Sequence, residues 1–242
     1  MRCCIVIPAR MGSTRFPGKP LCDLLGKPMV QWVVEAAGRA QIAERIVVAT
    51  PDPEIVEACL SFGAEAMLTS PSHPTGTDRI AEVSRSIEAD VYVNVQGDEP
   101  LIHPASIAAC AEPLLSDSSM LMGSVYSDCP PSEIEEPSAV KVVTDLQGFA
   151  LYFSRFPVPY PRHMRSKPVK KHVGIYAYTR EVVQAFSIWP QSPLEMAESL
   201  EQLRFMENGV RIKMSPGAGS ELAVDTPEQA ELVRTILAAR EP

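Results

Sequence analysis

The stretch Ile5–Leu21, IVIPARMGSTRFPGKPL, runs from an apolar segment straight into a basic, glycine-containing loop. Residues Cys3 to Ile7 have the length and β-branched content of a strand buried on both faces of a parallel sheet. Pro8 ends that run. Arg10, Arg15 and Lys19 then fall within ten residues, with Gly12, Ser13 and Gly18 between them. Backbone amides, a hydroxyl and three cations can therefore converge on one polyanion. The apolar periodic segment Pro28 to Val34 reads as a helix. Strand, phosphate loop and helix form a nucleotide-binding arrangement, against which stands the plainer reading of a solvated basic loop. The loop carries neither the dinucleotide GxGxxG pattern nor Walker spacing.

The rest of the chain bounds this reading. With 242 residues, 45% hydrophobic and 21% charged, it can bury a full core. A net charge of −8 argues against nucleic acid or an anionic membrane as partner. Residues 1–27 nevertheless carry five cations against Asp23 alone, +4 locally and −12 elsewhere. That contrast suits a small anionic ligand. The apolar run after Arg2 is too short for a signal peptide or membrane anchor, so the expected location is cytoplasmic. Six cysteines without CxxC spacing read as reduced core residues, and the four histidines do not join them at zinc-ligand spacing.

Strands are expected at 44–50, 64–69 and 90–95, alternating with helices that start near Pro53 and at 75–78, in a β-α-β rhythm. A further helix is expected over 103–115. After Pro130, segments 141–144 and 149–153 read as a hairpin added antiparallel to the core, and 157–171 as a basic, proline-rich loop. A strand at 172–179 and a helix at 180–189 follow. A single longer helix is expected over 192–208, opened by a Ser192/Glu195 capping box and stopped by Gly209. Asp225 reads as the N-cap of the C-terminal helix. The fold class is α/β, a Rossmann-like fold with a mainly parallel sheet and helices on both faces. One domain spans 1–242, and a smaller β-rich insertion at 130–190 forms a pocket and a possible dimer interface.

Asp98 sits where a strand meets its loop, and strand C-termini are where such sheets bind ligands. Two carboxylates, Asp98 and Asp225, facing phosphates suit Mg²⁺, which takes one or two protein carboxylates plus phosphate oxygens. Turn chemistry and helix capping are the competing explanations for these two residues.

Several strings resemble the 3-deoxy-D-manno-octulosonate (Kdo) cytidylyltransferases. They are PARMGSTRFPGKPL at the opening, VATPD (48–52), TSPSHPTGTDRIAEV (69–83), VNVQGDEP (93–100) and AVKVV (139–143). ALYFSR (150–155), HVGIYAY (172–178), LEQLR (200–204) and VDTPE (224–228) continue the likeness. The opening loop alone indicates a nucleotidyltransferase; ALYFSR, HVGIYAY and LEQLR look like the Kdo type. The resemblance implies that Ala9, Arg10, Ser13, Arg15 and Lys19 hold a triphosphate, with Gly76 and Thr77 near the cytosine. It implies Asp98 and Asp225 as Mg²⁺ ligands, and Arg10, Lys19 and Asp98 as the catalytic set. Gln96, Ser154, Arg155, His172, Tyr176, Glu201 and Gln202 would line the sugar-acid pocket.

Among these, Arg155 is the candidate for the acid group, because a guanidinium matches a carboxylate bidentately; a structural ion pair is the alternative. For His172 the alternative is a satisfied, half-buried strand histidine. The implied reaction is CTP plus Kdo giving CMP-Kdo and pyrophosphate, for lipopolysaccharide biosynthesis, in a homodimer whose interface candidate is the apolar hairpin 149–153. Pro159–Tyr160–Pro161 and Lys171 depart from the family pattern and leave open 8-amino-Kdo or another acid, sialic-acid-like or phosphonate. A non-catalytic nucleotide-binding regulator is the alternative of a different class. A dehydrogenase is disfavoured by the missing dinucleotide glycines.

Overall fold

The computed structural model describes residues 1–162, 168–218 and 222–240. Strand β1 (Cys3–Pro8) is buried along almost its whole length. Its alternate residues enter two different cores: Cys4 and Val6 on one face, Cys3, Ile5 and Ile7 on the other. That is why the run is continuously apolar: a strand covered on both faces has no polar side.

A short hairpin of β2 (Asp23–Leu24) and β3 (Lys27–Pro28) leads into α1 (Met29–Arg39). The rhythm then continues through β4 (Arg45–Thr50), α2 (Pro53–Ser61), β5 (Glu65–Leu68), α3 (Gly76–Ser86), β6 (Val91–Asn94), α4 (Pro104–Ser116) and β7 (Met122–Asp128). The hairpin β8 (Lys141–Thr144) and β9 (Ala150–Ser154) precedes β10 (Lys170–Thr179) and α5 (Arg180–Phe186). Helices α6 (Pro193–Glu198) and α7 (Gln202–Glu207), strand β11 (Ile212–Pro216) and α8 (Pro227–Ala238) complete the described elements.

The main sheet runs β11-β7-β10-β6-β1-β4-β5. β1 is parallel to β4 and β6, β4 to β5, and β11 to β7, whereas β10 is antiparallel to both of its neighbours, β6 and β7. The sheet is thus mainly parallel, as expected. The antiparallel component, however, lies in its middle. Residues 130–190 are not set apart: β10 belongs to the central sheet, and β8 and β9 extend from it. Because β10 runs backwards, its first half lies beside the C-terminal end of β7, and Tyr176, in its second half, lies opposite Asn94 at the C-terminal end of β6. Lys170 and Lys171 open this strand rather than close the preceding loop. His163, Arg165 and Lys167 of that loop lie outside the described residues.

Two other expectations are corrected. Residues 192–208 form two helices, because Ser199 adopts a left-handed conformation (φ 52°, ψ 50°). The capping box of Ser192 and Glu195 is present. The cap of α8 is Thr226, whose side chain accepts from the Gln229 amide in a capping box of its own. Asp225 is therefore free of capping duty.

A third apolar cluster places α8. Leu24, Met29, Trp32, Leu101, Val224, Val233 and Leu237 pack together, and the Trp32 indole N–H donates to the Leu24 carbonyl at 2.8 Å. Each such buried side chain contributes about 1.5–3 kcal/mol, against about 0–1 kcal/mol for an exposed ion pair. Apolar packing, not the ion pairs described below, thus brings the C-terminal segment to the basic loop after β1. Among the described residues no helix is long and apolar enough to cross a membrane.

Helices α6 and α7 are joined by a buried ion pair. Arg204 Nε donates to Glu195 Oε2 at 2.6 Å, and its Nη2 to Oε1 at 2.5 Å, while the guanidinium lies 3.9 Å from the Phe186 ring centroid. Removing one partner strands the other charge in the core. Glu195→Ala is expected to lower unfolding free energy by about 3–5 kcal/mol, read from urea denaturation; a loss below about 1 kcal/mol would show that the pair behaves as a surface one.

Candidate active site

The basic loop after β1 is anchored to β4 and to the turn that follows β4. Ala9 N–H donates to the Ala49 carbonyl at 3.0 Å, and Met11 N–H to Asp52 Oδ2 at 2.7 Å. The Ser13 and Gly18 amides both donate to the Met11 carbonyl, at 2.9 and 3.0 Å, which folds the loop back on itself. Gly18 has φ +72°, a backbone conformation that side chains disfavour. Asp52, read from the sequence only as part of a turn, is thus the residue that anchors the loop. The signal was its place at the end of a parallel strand, inside VATPD.

Gly97 is required by closeness rather than by φ. A Cβ there would meet the Pro8 carbonyl oxygen at 2.7 Å, so only glycine lets the end of β6 lie against the end of β1. This contact brings Asp98 to the loop. Lys19 Nζ donates to Asp98 Oδ2 at 2.7 Å, to Asp225 Oδ1 at 3.0 Å and to the Val224 carbonyl at 3.1 Å. Arg15 pairs with the other oxygen of Asp225 at 2.9 Å. Burial pulls the Lys19 pKa down, but Asp98 and Asp225 outweigh it and hold the amine above its ordinary value. Lys19 is therefore a fixed positive charge.

Around this centre lies a cleft with two lobes, each of about 400 Å³. The first is lined by Ala9, Arg10, Ser13, Arg15, Lys19, Asp98 and Asp225, with Arg79 across from them. Arg79 was missed, although its TGTDR string stood out. It is nearly buried, donates to Thr69 Oγ1 and to the Ser70 carbonyl, and turns a fourth guanidinium or ammonium group toward the lobe. The second lobe is lined by Thr77, Arg155, Gly174, Tyr176 and Gln202. Gly76, Gln96 and Glu201 border both lobes, so the two are one continuous cleft.

The second lobe is rich in neutral donors. Burial pushes the Tyr176 phenol well above its ordinary pKa, keeping it protonated. The Gln202 amide nitrogen is buried with no hydrogen-bond partner among the described residues. Glu201 accepts from the Thr77 hydroxyl at 2.7 Å, and its burial raises its pKa. Arg155 donates to three main-chain carbonyls: Glu198 at 2.7 Å, Pro137 at 3.0 Å and Ser199 at 3.2 Å. Carbonyl groups orient a guanidinium without cancelling its charge, so the ion-pair alternative for Arg155 does not describe its contacts.

A family model described as Cytidylyltransferase matches residues 4–212. The chain belongs to the cytidylyltransferase family. The 3-deoxy-manno-octulosonate cytidylyltransferase of Escherichia coli is 46% identical over 234 residues, covering 97% of this chain and 95% of that protein. Its namesake from Trichlorobacter lovleyi is 47% identical over 242 aligned positions, covering 94% and 95%. A solved structure of CMP:2-keto-3-deoxy-manno-octonic acid synthetase complexed with CTP superposes with a TM-score of 0.96 at 44% identity, over the whole of both chains.

Two residues expected in the sugar-acid pocket of this cytidylyltransferase lie behind its wall. Ser154 is buried and donates to Glu198 Oε1 at 2.8 Å. His172 is 8% exposed, shares a 3.0 Å hydrogen bond between Nε2 and the Ser124 hydroxyl, and sits between the rings of Phe153 and Tyr176. Neither is among the described lining residues of either lobe. Lys171, one of the departures from the family pattern, pairs with Glu133 at 2.5 Å and is likewise absent from that lining.

Burial pushes the His172 pKa down to about 3 from 6.5, so the folded ring is neutral. Between those values the unfolded chain binds the proton and the folded one does not. Its contribution to stability is thus complete above pH 6.5 and is lost as pH falls toward 3. Replacement by asparagine is expected to flatten the fall in unfolding free energy between pH 6 and pH 4 by about 1.4 kcal/mol per pH unit, measured by urea titration. An unchanged slope would mean that the buried ring accepts the proton.

Proposed function

We propose that the chain transfers a cytidylyl group from CTP to Kdo, giving CMP-Kdo and pyrophosphate. The observation that carries this reading is the continuous cleft. A lobe bearing Arg10, Arg15, Lys19 and Arg79 opens, across Gln96 and Glu201, onto a lobe bearing Arg155 and neutral donors. The similarity to Kdo cytidylyltransferases over nearly the whole chain supports the assignment of substrates.

In this reading Arg10, Ser13, Arg15 and Lys19 bind the triphosphate, and Gly76 and Thr77 lie near the base. Arg155 holds the carboxylate of the sugar acid, and Gln96, Tyr176, Glu201 and Gln202 meet its hydroxyls. The C2 hydroxyl attacks the α-phosphorus in line; the new P–O bond forms as the bond to the β-phosphate oxygen breaks, pyrophosphate leaves with that electron pair, and the hydroxyl proton is released to water. Arg10 and Lys19 offset the charge that builds on the departing phosphates. Catalysis then rests mainly on positioning and electrostatics.

Asp98 and Asp225 fit a hard divalent cation. Their oxygens already converge on one cationic group, the Lys19 ammonium. No cluster of three or more His, Cys, Asp or Glu side chains occurs among the described residues, so phosphate oxygens would complete the set, as Mg²⁺ prefers. Bound there, Mg²⁺ would supply further positive charge beside the phosphates. The exposed apolar side chains of Leu151 and Phe156, in and just after β9, are consistent with a homodimer formed through this hairpin.

Pyrophosphate release should require both CTP and Kdo. Asp98→Asn is expected to lower that rate by at least about a hundredfold at saturating Mg²⁺, and full activity of the variant would refute the assignment.

A further inference from the structure

We infer that Glu198 is the positioning residue of the acid lobe, acting on substrate through Arg155. This rests on the reading of that lobe as the site for the sugar carboxylate.

Glu198 ends α6, directly before the left-handed residue Ser199. Its carboxylate faces the end of β9. Oε1 accepts from the Ser154 hydroxyl at 2.8 Å and from the Tyr152 hydroxyl at 3.3 Å, and Oε2 accepts from the Arg155 backbone N–H at 2.9 Å. One carboxylate thus takes three donors from the residues just before and at Arg155. The same residue's carbonyl accepts from Arg155 Nε at 2.7 Å. Glu198 therefore grips Arg155 at the main chain with its side chain and at the guanidinium with its main chain.

The division of labour has an electrostatic consequence. Had the carboxylate formed a fork with the guanidinium, the positive charge would be cancelled before substrate arrived. With its oxygens spent on hydroxyls and an amide, the guanidinium is aimed by carbonyls and keeps its charge for a substrate carboxylate. The clamp also supports the turn. A left-handed serine is disfavoured intrinsically. That turn presents the carbonyls of Glu198 and Ser199 to Arg155 and sends Glu201 and Gln202 into the lobe. The hairpin side and the helical side of the lobe are thus joined at one residue.

The test is a double-mutant cycle between Glu198 and Arg155, read as KM for Kdo, KM for CTP and kcat. Glu198→Ala is expected to raise the Kdo KM at least tenfold while the CTP KM changes less than twofold. Glu198→Gln keeps one oxygen acceptor and should lie between the two. In an Arg155→Lys background, Glu198→Ala should add less than twofold, because the group it aims is already gone. If Glu198→Ala does not fold, the cycle is completed with Glu198→Gln. A Kdo KM unmoved by Arg155→Lys would overturn the acid-lobe reading itself. A raised KM in Arg155→Lys, with the full Glu198 effect added on top, would overturn the positioning role alone, as would equal increases in both KM values.

Discussion

The Lys19 ammonium ties together parts of the chain that are far apart in sequence. It reaches Asp98 at the end of β6 and both the Asp225 carboxylate and the Val224 carbonyl before α8. The basic loop after β1, the central sheet and the C-terminal helix meet at that nitrogen. Its contacts do not hold the helix there; the cluster around Trp32, Val224 and Leu237 does so. The ion pairs instead determine what kind of surface is presented once apolar packing has brought the three segments together: a compact array of opposite charges, open to a polyanion on one side.

The sheet explains why a second lobe lies beside this one. Parallel strands bring β1, β4 and β6 to a common edge, where loops bind ligands. The reversed strand β10 is inserted between β6 and β7, so Gly174 and Tyr176 come to the same edge from the other direction. The β8–β9 hairpin, hanging from β10, then supplies Arg155. One topological reversal thus places the lobe bearing Arg155 next to the lobe bearing Lys19, with Gln96 and Glu201 between them.

Local signals made much of this legible in the sequence. The doubly buried β1, the basic loop and the start of α3 within 75–78 follow from apolar pattern, charge spacing and capping chemistry. What was missed depended on tertiary contacts or on a choice between near-equal local options. Asp225 and Thr226 are both good caps, with Glu228 and Gln229 respectively three residues on, and the structure uses the Thr226–Gln229 pair. The break at Ser199 has no glycine or proline to announce it; Glu198 and its contacts across to β9 hold it in place. The central position of β10 is invisible to a period-two pattern. His172 looked like a ligand by resemblance, whereas its place is set by Ser124, Phe153 and Tyr176, none adjacent in sequence.

The convergence of charges on Lys19 is most directly tested by calorimetric titration of CTP into the wild-type chain and into Lys19→Met. Losing one charge-assisted contact of about 1.5–3 kcal/mol should weaken CTP binding by about tenfold or more, with the fold unchanged by circular dichroism. A folded Lys19→Met protein that binds CTP as tightly as the wild type would contradict the account.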